Sequence, residues 1–151
     1  MLWPFKTRVV VEPCFPIGQY VIDTKIDGLQ GLAPLSAAEL VALNTAVQFQ
    51  DEQIWHAPDA DFMGLKWDTI LGTVGGAIYK IAIQWTGPRH HVGKTYRDIL
   101  IYCTKYYGKS KKGMLWDTSD GNIVVDSTNI GDKGVLNVFV TTRRVRQFKR
   151  I

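Results

Sequence analysis

Hydrophobic and polar positions alternate most clearly on the two sides of Gly75-Gly76. The runs Trp67 to Val74 and Ala77 to Trp85 are rich in β-branched and aromatic residues. Two glycines between such runs are typical of a type I′ turn, because both central residues of that turn need φ > 0. The pattern predicts an antiparallel hairpin. Pairs counted outward from the turn give a core face with Ile70, Val74, Tyr79, Ile81, Ile83 and Trp85, and an opposite face with Trp67, Thr69, Leu71, Ile78, Lys80 and Gln84.

Helical spacing first appears after Pro34. Ser36 followed three residues later by Glu39 is a capping-box pattern, and apolar residues then recur at helical spacing to about Val47. The segment from Phe49 to Trp55 fits either an extension of this helix or a short strand. Ala57 to Asp61 contains Pro58 and is predicted to be a polar linker within the domain.

A second helix is predicted with Thr95 as its N-cap and Asp98 in its first turn. An apolar stripe follows, with Lys105 in the last turn and Gly108 where a left-handed C-terminal residue belongs. The N-cap, the apolar stripe and the C-terminal glycine all indicate the same helix. We therefore expect one helix from Thr95 to the residue before Gly108.

Short β-branched runs predict the remaining strands. Thr7 to Val11 and Tyr20 to Ile26 are candidate strands near the start of the chain. A second hairpin pairs Met114 to Thr118 with Ile123 to Ser127, and Val135 to Thr142 follows as a strand. The prediction is a single α+β domain over residues 1–151, with an antiparallel sheet of about five or more strands and two helices packed on it.

One phrase occurs twice, at Gly64 to Thr69 and at Gly113 to Thr118. Both copies read Gly-x-x-Trp-Asp-Thr, and each lies where a predicted hairpin begins. Two interpretations stay open. The chain is a diverged α-β-β tandem repeat, or it is a single meander in which strand propensity and turn chemistry produced the same phrase.

Composition indicates an ordinary globular protein. The chain has 151 residues, of which 46% are hydrophobic and 21% charged. Its two cysteines, Cys14 and Cys103, form no disulfide framework or zinc-ligand pattern. No apolar run approaches a membrane span and the N-terminal sequence has no signal-peptide pattern, so the expected location is cytoplasmic.

Charge is unevenly distributed. Residues 1–75 carry four Lys/Arg and nine Asp/Glu, a net charge of 4 − 9 = −5, and the remainder carries fourteen and five, a net of +9. The acidic and basic halves can attract each other within one fold or between two subunits. A basic surface can also bind nucleic acid, and the candidate residues for that binding are Arg143, Arg144, Arg146, Lys149 and Arg150. The alternative is a solvated terminus.

The sharpest chemical candidate is the predicted loop from Gly87 to Thr95. It follows a strand and opens a helix, as a phosphate-binding loop does, but five residues separate Gly87 from Gly93 where that motif has four. A helix N-terminus with basic neighbours attracts anions. The hypothesis is an anion- or phosphate-ligand site formed by Arg89, His90, His91, Lys94 and Thr95, and the alternative is a solvated loop.

An apolar patch is predicted on the second face of the first hairpin. Trp67, Leu71, Ile78 and Phe139 are expected on the sheet face away from the second helix, where they form an interaction surface unless the first helix and N-terminal strands cover it. A second copy of the chain could cover this surface, which would make the protein a homo-oligomer.

Neither a metal site nor a catalytic group is predicted. His90 and His91 would point apart on an extended backbone, and Cys103 lies on an apolar stripe. No cofactor motif is present. The sequence favours a non-catalytic binding or protein-interaction domain, with two alternatives: an anion-binding protein or enzyme using the Gly87 to Thr95 loop, and a nucleic-acid-binding module.

Overall fold

An antiparallel sheet forms the centre of the fold in the computed structural model, which describes residues 11–151. In this part of the chain the sheet has seven strands, in the order β1-β2-β3-β4-β7-β6-β5. Two α-helices and a 3₁₀ helix accompany it there, so the chain has the expected α+β composition. The strands are β1 (Ala33–Pro34), β2 (Glu52–Phe62), β3 (Leu65–Val74), β4 (Ala77–Pro88), β5 (Leu115–Asp117), β6 (Gly121–Ile130) and β7 (Lys133–Thr142); the helices are α1 (Ala37–Ala42), α2 (Arg89–Tyr107) and the 3₁₀ helix (Arg143–Gln147).

The sheet consists of two meanders joined at one seam. Strands β2, β3 and β4 follow one another along the chain, as do β5, β6 and β7, and the last strands of the two meanders, β4 and β7, pair with each other. The helix α2 connects the meanders. The seam therefore lies at the centre of the sheet.

The predicted first hairpin is confirmed, but its face assignment is wrong. Gly75 and Gly76 have φ of 61° and 77° and connect β3 to β4. The register shifts between Gly72 and Thr73, so that Gly72 pairs with Lys80 and Thr73 with Ile78. A shift of one residue reverses the faces of a strand. The α2 side of the hairpin consequently combines Trp67, Thr69, Leu71, Thr73, Ile78, Ile81, Ile83 and Trp85.

Strand β2 replaces the predicted linker at Ala57 to Asp61. It runs from Glu52 to Phe62, and its pairing with β3 is irregular between Ala57 and Ala60. Pro58 lies within this irregularity, which is where a residue without an N–H can be accepted in a strand. The undecided segment before it is therefore mostly strand.

The long helix α2 packs on one face of the sheet. Its buried residues Val92, Ile99 and Cys103 join a hydrophobic core that includes Leu136 and Trp116. Gly108 ends the helix as predicted and has a positive φ of 83°, but its ψ of −159° differs from that of the expected left-handed conformation. The N-cap was predicted seven residues too late, at Thr95, because the helix begins at Arg89 after Pro88 and Thr95 is a buried residue inside it.

The short helix α1 borders the opposite face of the sheet and buries none of its residues. Its predicted capping box is confirmed by hydrogen bonds between Ser36 and Glu39 in both directions, each of 3.1 Å. The helix ends at Ala42, well before Val47, because Asn44 adopts a left-handed φ of 51°. Only α2 is thus packed firmly on the sheet.

Two predicted strands near the start of the chain have different outcomes. Residues 7–10 of the first lie outside the described residues. Tyr20 to Ile26 forms isolated bridges, among them Lys25 with Ala77, and no strand. Ile17, Tyr20 and Ile22 of the surrounding segment are buried in the core.

The repeated Gly-x-x-Trp-Asp-Thr phrase marks different places in the sheet. The first copy opens β3, which has a partner on each side, and the second opens β5, which is the last strand in the sheet order. Trp67 and Trp116 are both buried, and each indole N–H donates to a backbone carbonyl, that of Phe62 and of Gly108. The tryptophan of each copy therefore packs in a similar way, although β3 and β5 are not equivalent strands in the sheet.

Candidate functional site

A large concavity lies on the sheet face opposite α2. We call it the cleft; its volume is about 720 Å³, and its floor is formed by β2, β3, β4 and β7. One wall is the segment of residues 35–50, here called the arm, which contains α1. No residue of α2 lines the cleft. The site is thus separated from the core by the thickness of the sheet.

Strand register arranges the floor in three rows. In the first row Gly72 pairs with Lys80, and Lys80 with Thr141. In the third row Asp68 pairs with Gln84, and Gln84 with Asn137. The second row, between these two, is apolar and consists of Ile70, Ala82 and Phe139.

The end of the cleft beside the first row is closed by three aromatic rings. Phe49, Tyr79 and Phe148 contact one another edge to face, with ring centroids 5.4 to 5.7 Å apart. Phe49 comes from the arm and Phe148 from the residue after the 3₁₀ helix. These contacts fix one end of the arm against the sheet.

Glu52 holds the arm because both of its carboxylate oxygens accept hydrogen bonds. Oε1 accepts from the backbone N–H groups of Gln48 and Phe49, at 2.7 and 3.0 Å, and Oε2 accepts from the hydroxyl of Tyr79 at 2.6 Å. Burial raises the pKa of Tyr79, and its hydrogen bond to Glu52 raises it further. The phenol therefore stays a neutral donor over the ordinary pH range.

Backbone pairing with the C-terminal residues also holds the arm. Gln50 N–H donates to the Lys149 carbonyl at 2.8 Å, and Ile151 N–H donates to the Gln48 carbonyl at 3.0 Å. Phe49 and Arg150 form the bridge between them. The arm is consequently anchored at its C-terminal end, whereas α1 remains exposed.

Charged side chains lie at the other end of the cleft. His56 Nε2 is 3.5 Å from Asp68 Oδ1, and both side chains are more than half exposed. Hydrogen bonds from the backbone and side chain of Ser36 lower the pKa of Glu39, and the nearby His56 adds a smaller effect of the same sign. Gln84 Nε2 donates to Asn137 Oδ1 at 2.9 Å. This end can make hydrogen bonds to a polar group.

Lys80 is the cation of the cleft floor. Its side chain is partly buried, and its Nζ lies 5.8 Å from the centroid of the Phe139 ring. That distance is within the range of a cation–π contact. The Lys80 side chain thus reaches from the first row to Phe139 in the apolar second row.

The predicted anion site has a different structure from the loop expected. Gly87 and Pro88 end β4, and Arg89, His90, His91, Lys94 and Thr95 lie in the first two turns of α2. Thr95 is buried, and the His91 ring contacts Trp85 edge to face with centroids 4.8 Å apart. Arg89 donates to the Gly131 carbonyl at 3.4 Å. These residues are on α2, away from the cleft.

The predicted interaction surface is wrong as a grouping. Trp67, Leu71 and Ile78 are 0%, 0% and 1% exposed, and they lie in the core beneath α2. Phe139 is on the other face, in the cleft. The bulge at the turn end of β4 causes the error, because it reverses the faces counted from the turn. Exposed apolar side chains of α2 are instead Ile101, Tyr102 and Tyr106.

Three of the five basic C-terminal residues contact other parts of the protein. Arg143 Nη2 donates to the Thr118 carbonyl at 2.6 Å, Arg144 Nη1 lies 3.4 Å from Asp23 Oδ1, and the Arg150 guanidinium lies over the Phe49 ring. Arg146 and Lys149 are exposed. Nucleic-acid binding by these five residues stays a prediction.

The sequence contains no signal for the bulge at Tyr79, because Tyr79, Ile81, Ile83 and Trp85 alternate without a break. The register shift appears only when β3 pairs with β4. That shift puts Lys80 and Ala82 on the face of Ile70 and Phe139.

Comparisons with known proteins add no functional information. No protein-family model matches the sequence, and no curated protein or solved structure matches it. Across residues 11–151 no helix combines the length and apolar character needed to cross a membrane. In the same range no three His, Cys, Asp or Glu side chains are grouped to hold a metal ion.

Proposed function

We propose that this chain is a non-catalytic binding domain and that its ligand is a small, largely apolar molecule held in the cleft. The observation that carries the proposal is the cleft of about 720 Å³ with an apolar middle row. Ligand pockets for small molecules are typically concavities of about 300 to 1,000 Å³ with apolar walls and a few polar groups that fix orientation.

The arm supports this proposal. It contributes Leu35, Ala42, Leu43 and Ala46 to the cleft wall, yet α1 buries none of its residues. Apolar groups that face a concavity in this way gain burial when an apolar ligand fills it. Burial of these apolar groups therefore favours binding of such a ligand.

Side-chain pairing favours binding over catalysis. Gln84 bonds to Asn137, Tyr79 bonds to Glu52, and His56 lies beside Asp68. The Gln84 and Asn137 amides do not titrate, and the Tyr79 phenol has a raised pKa and is bonded to Glu52. These groups suit ligand orientation better than general acid or base catalysis.

Ala82 offers a test because it lies in the middle of the apolar row. With the neutral fluorescent probe N-phenyl-1-naphthylamine, we expect a saturable rise in fluorescence that corresponds to one site. Ala82→Phe should weaken binding by roughly tenfold or more, because a phenyl ring would occupy space between Ile70 and Phe139; tenfold corresponds to about 1.4 kcal/mol.

Thr104→Phe is the matched control. Thr104 is exposed on α2, on the other side of the sheet, so this change should leave probe affinity unchanged. Thermal unfolding of both variants checks that they are folded. Absence of saturable binding by the wild-type chain, or equal affinity in wild type and Ala82→Phe, would contradict the proposed function.

A further inference from the structure

The acidic side chains of the cleft already have partners within the described chain. Glu39 accepts from Ser36 N–H, and Glu52 accepts from two backbone N–H groups and the Tyr79 hydroxyl. Asp68 lies beside His56. A cationic ligand group would therefore have to compete with existing interactions.

Lys80 differs from these acids. None of the ion pairs among residues 11–151 includes it, and its side chain is partly buried on the cleft floor. Its Nζ contacts the face of the Phe139 ring. An anion beside Nζ would therefore gain a charge-assisted hydrogen bond without displacing an existing ion pair.

The surroundings of Lys80 define the rest of the ligand. Thr141 pairs with Lys80 across the seam, on the same face of the sheet, and can supply a hydroxyl donor near the same point. Beyond them lies the apolar row of Ile70, Ala82 and Phe139. Beyond that row lie Gln84 and Asn137, which are polar.

From this arrangement we infer that the ligand is an amphipathic carboxylate. Its carboxylate group binds Lys80 and Thr141, and its apolar body lies on the row of Ile70, Ala82 and Phe139. The inference rests on the proposed function, because it specifies the ligand chemistry of the same cleft. It assigns an anion site to the sheet, in a place different from the start of α2.

Competition with the neutral probe tests this inference on the whole chain. Octanoate, octylammonium and 1-octanol have the same chain length and differ in head-group charge near neutral pH. We expect octanoate to displace the probe at roughly tenfold lower concentration than either of the others, since hydrogen bonds between charged groups are stronger than those between neutral ones.

Three substitutions identify the residue responsible. Lys80→Met should remove the preference for octanoate while probe binding continues, and Lys80→Arg should retain most of it because the charge is kept. Lys94→Met is the matched control, since Lys94 lies on α2 among the residues first predicted to bind an anion. It should leave the preference unchanged.

The outcomes separate the two proposals. If the probe binds but octanoate is no better than 1-octanol, or if octylammonium is best, the carboxylate inference is overturned and the cleft still binds apolar molecules. Loss of the preference in Lys94→Met but not in Lys80→Met overturns the assignment to Lys80. If neither probe nor octanoate binds the wild-type chain, the proposed function fails and the inference fails with it.

Discussion

A single missing side chain permits the aromatic end of the cleft. A Cβ added at Gly72 would lie 2.7 Å from Cε1 of Tyr79, closer than van der Waals contact allows. The absence of this atom lets the Tyr79 ring lie against β3 and its hydroxyl reach Glu52. Gly72 is therefore required for space, since its φ is not in the left-handed region.

Gly72→Ala should destabilise the protein for this reason. Forcing extra atoms into a packed site typically costs about 1 to 3 kcal/mol, and displacement of Tyr79 would also disturb its bond to Glu52. Urea denaturation measures the change. Gly28→Ala is the matched control, because a Cβ there meets nothing within 4 Å. Equal stability of the two variants would show that the Tyr79 ring moves aside without cost.

At this scale the sequence predicts which residues lie in strands better than it predicts their faces. The alternation identified Trp67, Leu71, Ile81 and Ile83 as strand residues and assigned only the two isoleucines to the core, but all four are buried. It could not assign their faces, because the bulge at Tyr79 depends on pairing between two strands. The cleft was missed for the same reason, since Lys80 and Phe139 come together only across the seam.

Among the elements, α2 contains a glycine that serves no visible packing role. A Cβ added at Gly93 meets nothing within 4 Å, and the residue lies in the second turn of the helix. Glycine inside a helix costs about 0.5 to 1 kcal/mol relative to alanine, because it loses more backbone freedom on folding.

Gly93→Ala should therefore stabilise the protein by about 0.5 to 1 kcal/mol, measured as a higher urea midpoint with an unchanged slope. Gly134→Ala is a useful contrast. Its Cβ would lie 2.8 Å from Val92, where α2 packs on β7, so that variant should lose stability. A destabilised Gly93→Ala would indicate that this turn of α2 is not helical in solution.

Local sequence signals decided which elements were predicted correctly. The Gly75-Gly76 turn, the Ser36 capping box and the Gly108 helix end each depend on a few neighbouring residues, and all three are present. The start of α2 was missed because the glycine, proline and basic residues before Thr95 are typical of loops. Strand β2 was missed because Pro58 is accepted only through an irregularity that its neighbour β3 provides.

For the whole molecule, burial of ionisable groups determines how stability depends on alkaline pH. Burial raises the pKa of Cys103 from 9.0 to about 12. Burial also raises the pKa of Cys14, Tyr79 and Tyr107. In the unfolded chain these groups ionise near their ordinary values.

The free energy of unfolding should consequently fall as pH rises above about 9. In that range the folded state retains protons that the unfolded state has lost, so stability decreases with pH; the Cys103 contribution is complete below pH 9.0 and is lost towards about 12. Urea titrations at increasing pH measure the slope, and Cys103→Ala should make it shallower. A stability that stays constant up to about pH 11 would contradict the assigned burial of these groups.

The expected homo-oligomer and cytoplasmic location stay predictions at this scale. Ile101, Tyr102 and Tyr106 are exposed on α2, and the two tyrosine rings have centroids 4.5 Å apart, but monomers also expose small apolar patches. Light scattering at micromolar concentration distinguishes a monomer from an oligomer.

The central seam also has a consequence for the order of folding. Each meander joins strands that are neighbours along the chain, so each can begin to form by closing short loops. Pairing of β4 with β7 brings together residues far apart in sequence, such as Lys80 and Thr141, and non-local pairing is slow because a long loop must be closed first. We therefore expect formation of the seam to limit the folding rate and the cleft, which straddles the seam, to be completed only afterwards.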